Sequence, residues 1–317
     1  MPYLLPGWRL KGRDTTRMAT QALLNTRRLI GAALEHAPGL AVNAAARFQP
    51  HRLLPGLAYG PEPRHRLDVY VPRGGATPFP VILFLYGGSW SSGNKEIYRF
   101  LGAELAARGF LAVIPDYRVY PAARYPAFVA DAAEALRWAT EHALRFNADP
   151  GRVFVMGHSA GAHIAAMLAF ERRWLAAAGV GRLSGVIGLA GPYDFEIDTE
   201  LLHGVFGGPE NRRRSQPLAH VTGNGPPMLL ATGEADTTVL PRHTRTLAAA
   251  IRSAGGEVET IFYPHIGHRE IIGAFSPLFR FLAPVAADVS AFVSTRRARA
   301  ANTVDADGSG RGWHERL

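Results

Sequence analysis

From about residue 57 onward, short apolar runs alternate with longer stretches in which apolar positions return every three or four residues. Arg66–Val71 (RLDVYV) alternates as a half-buried antiparallel strand does, and Pro72 stops it. Val81–Leu85, Leu111–Asp116 and Val153–Met156 are continuous apolar runs, the mark of strands covered on both faces. Gly185–Leu189 and Met228–Thr232 are two more short strands, and Val258–Tyr263 alternates again. Helical patterns separate them. Lys95–Ala107 is closed by Gly109, Phe128–Arg145 puts Ala132, Leu136 and Ala139 on one side, and Ala162–Phe170 is rich in alanine. Val239–Ala254 and Ser276–Ser294 complete the series. Strands and helices alternating over more than two hundred residues require an α/β architecture, a mostly parallel central sheet with helices on both faces. Gly191–Gly225, polar and rich in Gly and Pro, interrupts the alternation and reads as a small insertion over the end of the sheet.

The pattern divides the 317 residues into an N-terminal helical extension (1–56), the α/β domain (57–294) and a tail (295–317) whose Arg, Gly, Asp and Ser content predicts disorder. In the extension, Thr20–Ala46 is rich in Ala and Leu and broken near Pro38-Gly39. Arg27, Arg28, Glu35 and His36 interrupt what would be the apolar core of a signal peptide, which points to a cytoplasmic protein. No stretch reaches the ~20 apolar residues of a membrane span. An amphipathic helix packed on the domain fits this segment, and one resting on a membrane surface is compatible with it. The net charge of +9 is concentrated at the ends: residues 1–53 hold eight Arg and Lys against two acids, and 295–317 five against three. The body is close to neutral, which argues against a basic groove for nucleic acid. With no cysteine, disulfides, thiolate metal sites and a cysteine nucleophile are excluded. Nothing in the sequence marks an oligomeric state.

Candidate chemistry gathers around Gly157-His158-Ser159-Ala160-Gly161, a G-x-S-x-G between a buried strand and a helix. This is the nucleophile-elbow pattern, in which a tight turn lifts a serine hydroxyl clear of the sheet beside a helix N-terminus. A Cβ at either glycine would meet the neighbouring strand or helix. A serine nucleophile needs a base, a carboxylate that orients the base, and donors for an oxyanion. The loop after Met228–Thr232 offers Asp236, with Glu234 as the alternative, and a cap on the following helix is the plain structural role for Asp236. The loop after Val258–Tyr263 offers His268, with His265 as the alternative. The backbone N–H of Ala160 and those of Gly88 and Ser89, in the loop after Val81–Leu85, are the expected oxyanion donors. Tyr86, Gly87, Trp90, His158, Tyr193 and Phe206, together with Phe195, are candidates for contact with a substrate. Arg212-Arg213-Arg214 reads as a solvated face.

The motifs RLDVYVP, YGGSW, PDYRVYP, GHSAG, AGPYDF and GHREII, in this order between Leu57 and Val293, resemble carboxylesterases of the α/β-hydrolase superfamily. The similarity is to bacterial enzymes of the hormone-sensitive-lipase-like and feruloyl-esterase-like branch. The resemblance implies the α/β-hydrolase fold, a Ser159–Asp236–His268 triad, an oxyanion hole of Gly88, Ser89 and Ala160, a small-molecule ester as substrate, and no metal or organic cofactor. It gives Asp116 and Arg118 of PDYRVYP a scaffold role in holding the oxyanion loop. One departure stands out: relatives carry His where this chain has Tyr86. The expected activity is hydrolysis of short- to medium-chain esters, since the insertion is short for a lipase lid. An amide or aryl-formamide hydrolase with the same triad, and a catalytically silent binding module, are the alternatives.

Overall fold

The computed structural model describes residues 40–75 and 78–305, all within the unit Gly39–Leu317. The expected helix from Thr20 lies outside the described residues up to residue 39, as does the end of the tail beyond residue 305. Eight strands form one sheet: β1 (His51–Ala58), β2 (Arg66–Pro72), β3 (Phe79–Leu85), β4 (Leu111–Pro115), β5 (Ala148–His158), β6 (Gly185–Leu189), β7 (Met228–Gly233) and β8 (Val258–Tyr263). Their order is β1-β2-β4-β3-β5-β6-β7-β8. The β1–β2 and β2–β4 pairs are antiparallel and all others parallel. β3, β4 and β6 are buried along their whole length, as their unbroken apolar runs predict.

Several elements differ from the pattern; β5, for one, begins at Ala148 rather than Val153. β1 begins at His51, six residues before the expected boundary at residue 57. Its sequence HRLLPGLA lacks alternation because it is an edge strand with Pro55 and Gly56 at a bulge, where the register shifts between Leu54 and Leu57. β2 is buried on both faces rather than one, being second from the edge. The expected helix Ser276–Ser294 starts at Val285 instead. Pro277 and Pro284 break up the segment before it, and Pro284 O accepts the first N–H groups of the helix, from Ala287 and Asp288. That helix then runs to Asp305, into the segment expected to be disordered.

The order of strands places the chemistry. β3 and β5 are neighbours, so the loops leaving their carboxyl ends start about one strand spacing (~4.8 Å) apart. β7 and β8 lie two and three strands from β5, so the loop after β8 must lean roughly 14 Å back across the sheet end to reach it. That loop crosses directly above Gly233, where a Cβ would stand 1.9 Å from Ile266 O. Only a bare backbone admits this crossing, and Ala235 N–H donates to the same carbonyl at 3.0 Å.

Arg118 anchors the helix Ala127–His142 rather than the loop after β3. Its guanidinium holds the buried Asp131 at 2.8–3.2 Å and Glu62 at 2.9 Å, and its backbone N–H also donates to Asp131. The scaffold role expected for Arg118 is therefore exerted on that helix. Replacing Arg118 by Met removes charge-assisted bonds from a buried carboxylate that keeps His65 at 3.1 Å. Arg118→Met should cost about 2 kcal/mol, read as a lower urea midpoint at unchanged slope.

Candidate active site

The elbow is built as its glycines require. Ser159, the residue between β5 and the next helix, has φ 54° and ψ −122°, a positive-φ backbone that ordinary residues avoid. Its N–H is held by Leu189 O at 2.9 Å, and Ala160 opens the helix Ala160–Phe170. A Cβ at Gly161 would lie 2.0 Å from Leu85 O and 2.6 Å from Tyr86 O, so the first turn of that helix rests on the backbone at the end of β3. Gly87 lies against Ser159 in the same way, with the Ser159 Cβ 2.9 Å from where its own Cβ would be.

Three side chains from three loops meet here. His268 Nε2 is 2.9 Å from Ser159 Oγ, and His268 Nδ1 is 2.8 Å from Asp236 Oδ2. The carboxylate accepts only, so the proton sits on Nδ1 and the Nε2 lone pair faces the serine hydroxyl. Asp236 is buried, and its other oxygen accepts the N–H groups of Thr238 and Val239 at 2.9 and 2.8 Å. It is thus a turn cap and a histidine partner at once, one oxygen for each. Glu234 and His265 are exposed.

Of the residues expected to touch a substrate, several are struts instead. Tyr86 is fully buried, its ring stacked between Tyr98 and Tyr117. Its hydroxyl donates to Asp116 Oδ1 at 2.8 Å and accepts from Arg64 Nη2 at 2.8 Å, while its carbonyl accepts the Tyr117 hydroxyl at 2.7 Å. Burial pushes the Tyr86 phenol far up, so it stays protonated and donates. Asp116 also takes the Lys95 N–H at 2.8 Å, the scaffold role expected of it. Tyr193 is buried with its hydroxyl 2.1 Å from where a Cβ of Gly188 would be, so it packs across β6 rather than lining an open site.

His158 is also buried. Its Nε2–H donates to the carbonyl of His268 at 3.0 Å, and the two rings are 4.8 Å apart. It ties the loop that carries His268, arriving from β8, to the end of β5. Burial, reinforced by the neighbouring His268, pushes its pKa down to about 3, so it is neutral. Trp90 and Phe206, both buried rather than open to a substrate, pack with His163 and the half-buried Phe195, with ring centroids 4.8–5.9 Å apart, between the loop after β3 and the insertion. His163, which the sequence reading did not single out, donates from Nε2 to Ser215 O in the insertion at 2.6 Å. Burial brings its pKa down to about 4. Its signal was its place four residues after Ser159, one helical turn along the same face.

Among the described residues no helix is long and apolar enough to cross a membrane, and no three or more His, Asp or Glu side chains are grouped to hold a metal. The arrangement of hydroxyl, imidazole and carboxylate is one that raises the nucleophilicity of a serine.

A family model, BD-FAE, matches residues 67–251. The isoprenylcysteine alpha-carbonyl methylesterase ICME of Arabidopsis thaliana is 28% identical over 258 residues, 74% of this chain and 60% of that protein. The chain spans half to about three fifths of the length of the first curated relatives it matches. Among solved structures, the hyperthermophilic esterase of the archaeon Pyrobaculum calidifontis superposes with TM-score 0.69 at 20% identity, covering 80% of this chain and 88% of that one. Thermogutta terrifontis esterase 2 phosphorylated by paraoxon gives 0.57 at 26% identity, covering 69% and 84%.

His158 and His163, each held neutral by burial, set a pH dependence, and burial lowers the pKa of His243 in the same direction. Unfolded, His158 and His163 each bind a proton near pH 6.5; folded, they refuse it until about pH 3 and 4. Their contribution to stability is therefore fully present above about pH 7 and is lost as the pH drops toward 4, by on the order of a few kcal/mol. Urea midpoints between pH 7 and 4.5 should decline, and His158→Gln should make the decline shallower.

Proposed function

The chain belongs to the BD-FAE family, and on that premise we propose that it is a serine carboxylesterase cleaving short- to medium-chain carboxylic esters through an acyl-enzyme. The observation that carries this reading is the unbroken hydrogen-bond chain Ser159–His268–Asp236, at 2.9 and 2.8 Å. Ser159 Oγ attacks the ester carbonyl as His268 Nε2 takes its proton. Asp236 holds the imidazole by Nδ1 and offsets the charge of the imidazolium. The carbonyl oxygen, now an oxyanion, is received by the N–H groups of Ala160, Gly88 and Ser89. Ala160 opens a helix, so its N–H has no intrahelical acceptor. His268 then protonates the departing alkoxide, and water repeats the sequence to release the acid and restore Ser159.

The substrate side of the reading rests on the insertion. It is a run of short helical turns, of which the longest, Glu200–Phe206, has seven residues. Through Phe195 and Phe206 it covers Trp90 with packed aromatic rings, which leaves little room beside the loop after β3 for a long acyl chain. Small soluble esters fit this better than long-chain lipids.

The test is hydrolysis of p-nitrophenyl esters from acetate to dodecanoate by the wild type, Ser159→Ala and Asp236→Asn. Ser159→Ala should lose at least about 10⁴-fold in kcat and Asp236→Asn about 10³- to 10⁴-fold, with the optimum at short chains. Paraoxon should add one diethylphosphoryl group to Ser159, seen by mass spectrometry, and leave Ser159→Ala unlabelled. A wild type that cleaves formanilides but no ester would replace this reading with the amide one, and a folded wild type that neither turns over nor labels would end it.

A further inference from the structure

Resting on the esterase reading for its catalytic meaning, we propose that Arg64 is a positioning residue that clamps both ends of the oxyanion loop and thereby fixes its donors. Arg64 lies on the connection between β1 and β2, far from the triad in sequence. Its guanidinium nevertheless spans the base of the loop from Tyr86 to Gly93. Nη2 donates to the Tyr86 hydroxyl and to Gly93 O, both at 2.8 Å, and Nε donates to Tyr117 O at 2.9 Å. Asp116 stands 3.8 Å away and accepts the same Tyr86 hydroxyl. One planar cation thus joins the first residue of the loop, the last, and the strand end beside it.

The loop needs such a support. Gly88, Ser89 and Trp90 all have positive φ, at 135°, 51° and 57°, and for the two non-glycine residues this is a backbone that surroundings must impose. Inside the loop, the bonds to Gly88 O from Ser91 and Ser92 N–H hold its tip but not its attachment to the sheet. Tyr120 N–H reaches Trp90 O at 2.8 Å on the far side. At the base, Gly93 approaches Gly87 so closely that a Cβ would lie 2.8 Å from Gly87 O, and Arg64 holds Gly93 in that approach. A donor aimed at a developing charge loses its value when displaced by about 1 Å, so the clamp acts on kcat rather than on substrate binding. Lysine cannot replace it, because a single ammonium on a flexible stem does not reproduce a rigid fork aimed at three oxygens.

The experiment compares wild type, Arg64→Met, Arg64→Lys and Arg118→Met, each well below its own melting temperature. Hydrogen–deuterium exchange of peptides covering residues 86–93 reads the clamp without any turnover. In Arg64→Met these amides should exchange at least tenfold faster while those of β5 and β8 keep their wild-type rates. Steady-state kinetics on the best p-nitrophenyl ester should show kcat down 10- to 100-fold with KM within about twofold, in Arg64→Lys almost as much as in Arg64→Met. Arg118→Met, which lowers stability through a different helix, should leave both readouts near wild type. Unchanged exchange at 86–93 in Arg64→Met overturns the clamp whether or not the protein hydrolyses esters. Faster exchange at wild-type kcat, full recovery by Lys, or an equal kcat loss in Arg118→Met overturns its catalytic meaning. Failure of the esterase reading itself is read separately, from the Ser159→Ala comparison and from labelling by paraoxon.

Discussion

The parallel pairing of β3 with β5, and the contact it forces at their carboxyl ends, is the constraint from which the site follows. Leu85 pairs with Gly157, so the two chains leave the sheet side by side. The first turn of the helix after Ser159 then has to rest on the carbonyls of Leu85 and Tyr86, which is possible because residue 161 has no side chain. The same contact presses Gly87 against Ser159 and so puts the loop after β3 beside that serine. Everything else arrives by loops that reach toward this point: Asp236 over two strands, His268 over three.

Reaching costs conformational freedom, and each reach is secured by hydrogen bonds to the backbone. His158 grips the carbonyl of His268, Ile266 O receives Ala235 N–H, and the second oxygen of Asp236 receives two backbone N–H groups. Below the loop after β3 lies a denser web of Arg64, Tyr86, Asp116, Tyr117 and Lys95, which takes charges out of water and therefore has to satisfy them. Burial raises the Asp116 carboxyl above its usual range even with Tyr86 and the Lys95 N–H bonded to it. Such a web adds little net stability for its size; what it supplies is one geometry. Tyr86 belongs to it: its ring is stacked between Tyr98 and Tyr117, and its hydroxyl joins Asp116 to Arg64.

Much of this was legible beforehand because it depends on local pattern. Buried apolar runs announced the strands, and the strand–GHSAG–helix sequence announced the turn. The loops after β7 and β8 were long enough and polar enough to offer Asp236 and His268 by position alone. Where the pattern misled, a particular residue explains it. The bulge at Pro55 and Gly56 hid β1, and Pro284 moved the start of the last helix. Asp68, a charge inside an otherwise apolar strand, was a visible sign of the buried web, since only a paired carboxylate sits at zero exposure there, with Gly56 N–H and Lys95 beside it.

The sequence by itself determined the α/β layering, the elbow and the order of the chemical groups along the chain, because periodicity, glycine at close approaches and strand-end placement are local properties. The tertiary structure alone decided which side chains face one another. Bringing His268 within hydrogen-bond reach of both Asp236 and Ser159, turning Tyr86, His158 and Tyr193 from expected substrate contacts into struts, and setting Arg64 under a loop more than twenty residues away all depend on distances between strands. Those distances follow from sheet order and packing, which no local stretch of sequence encodes.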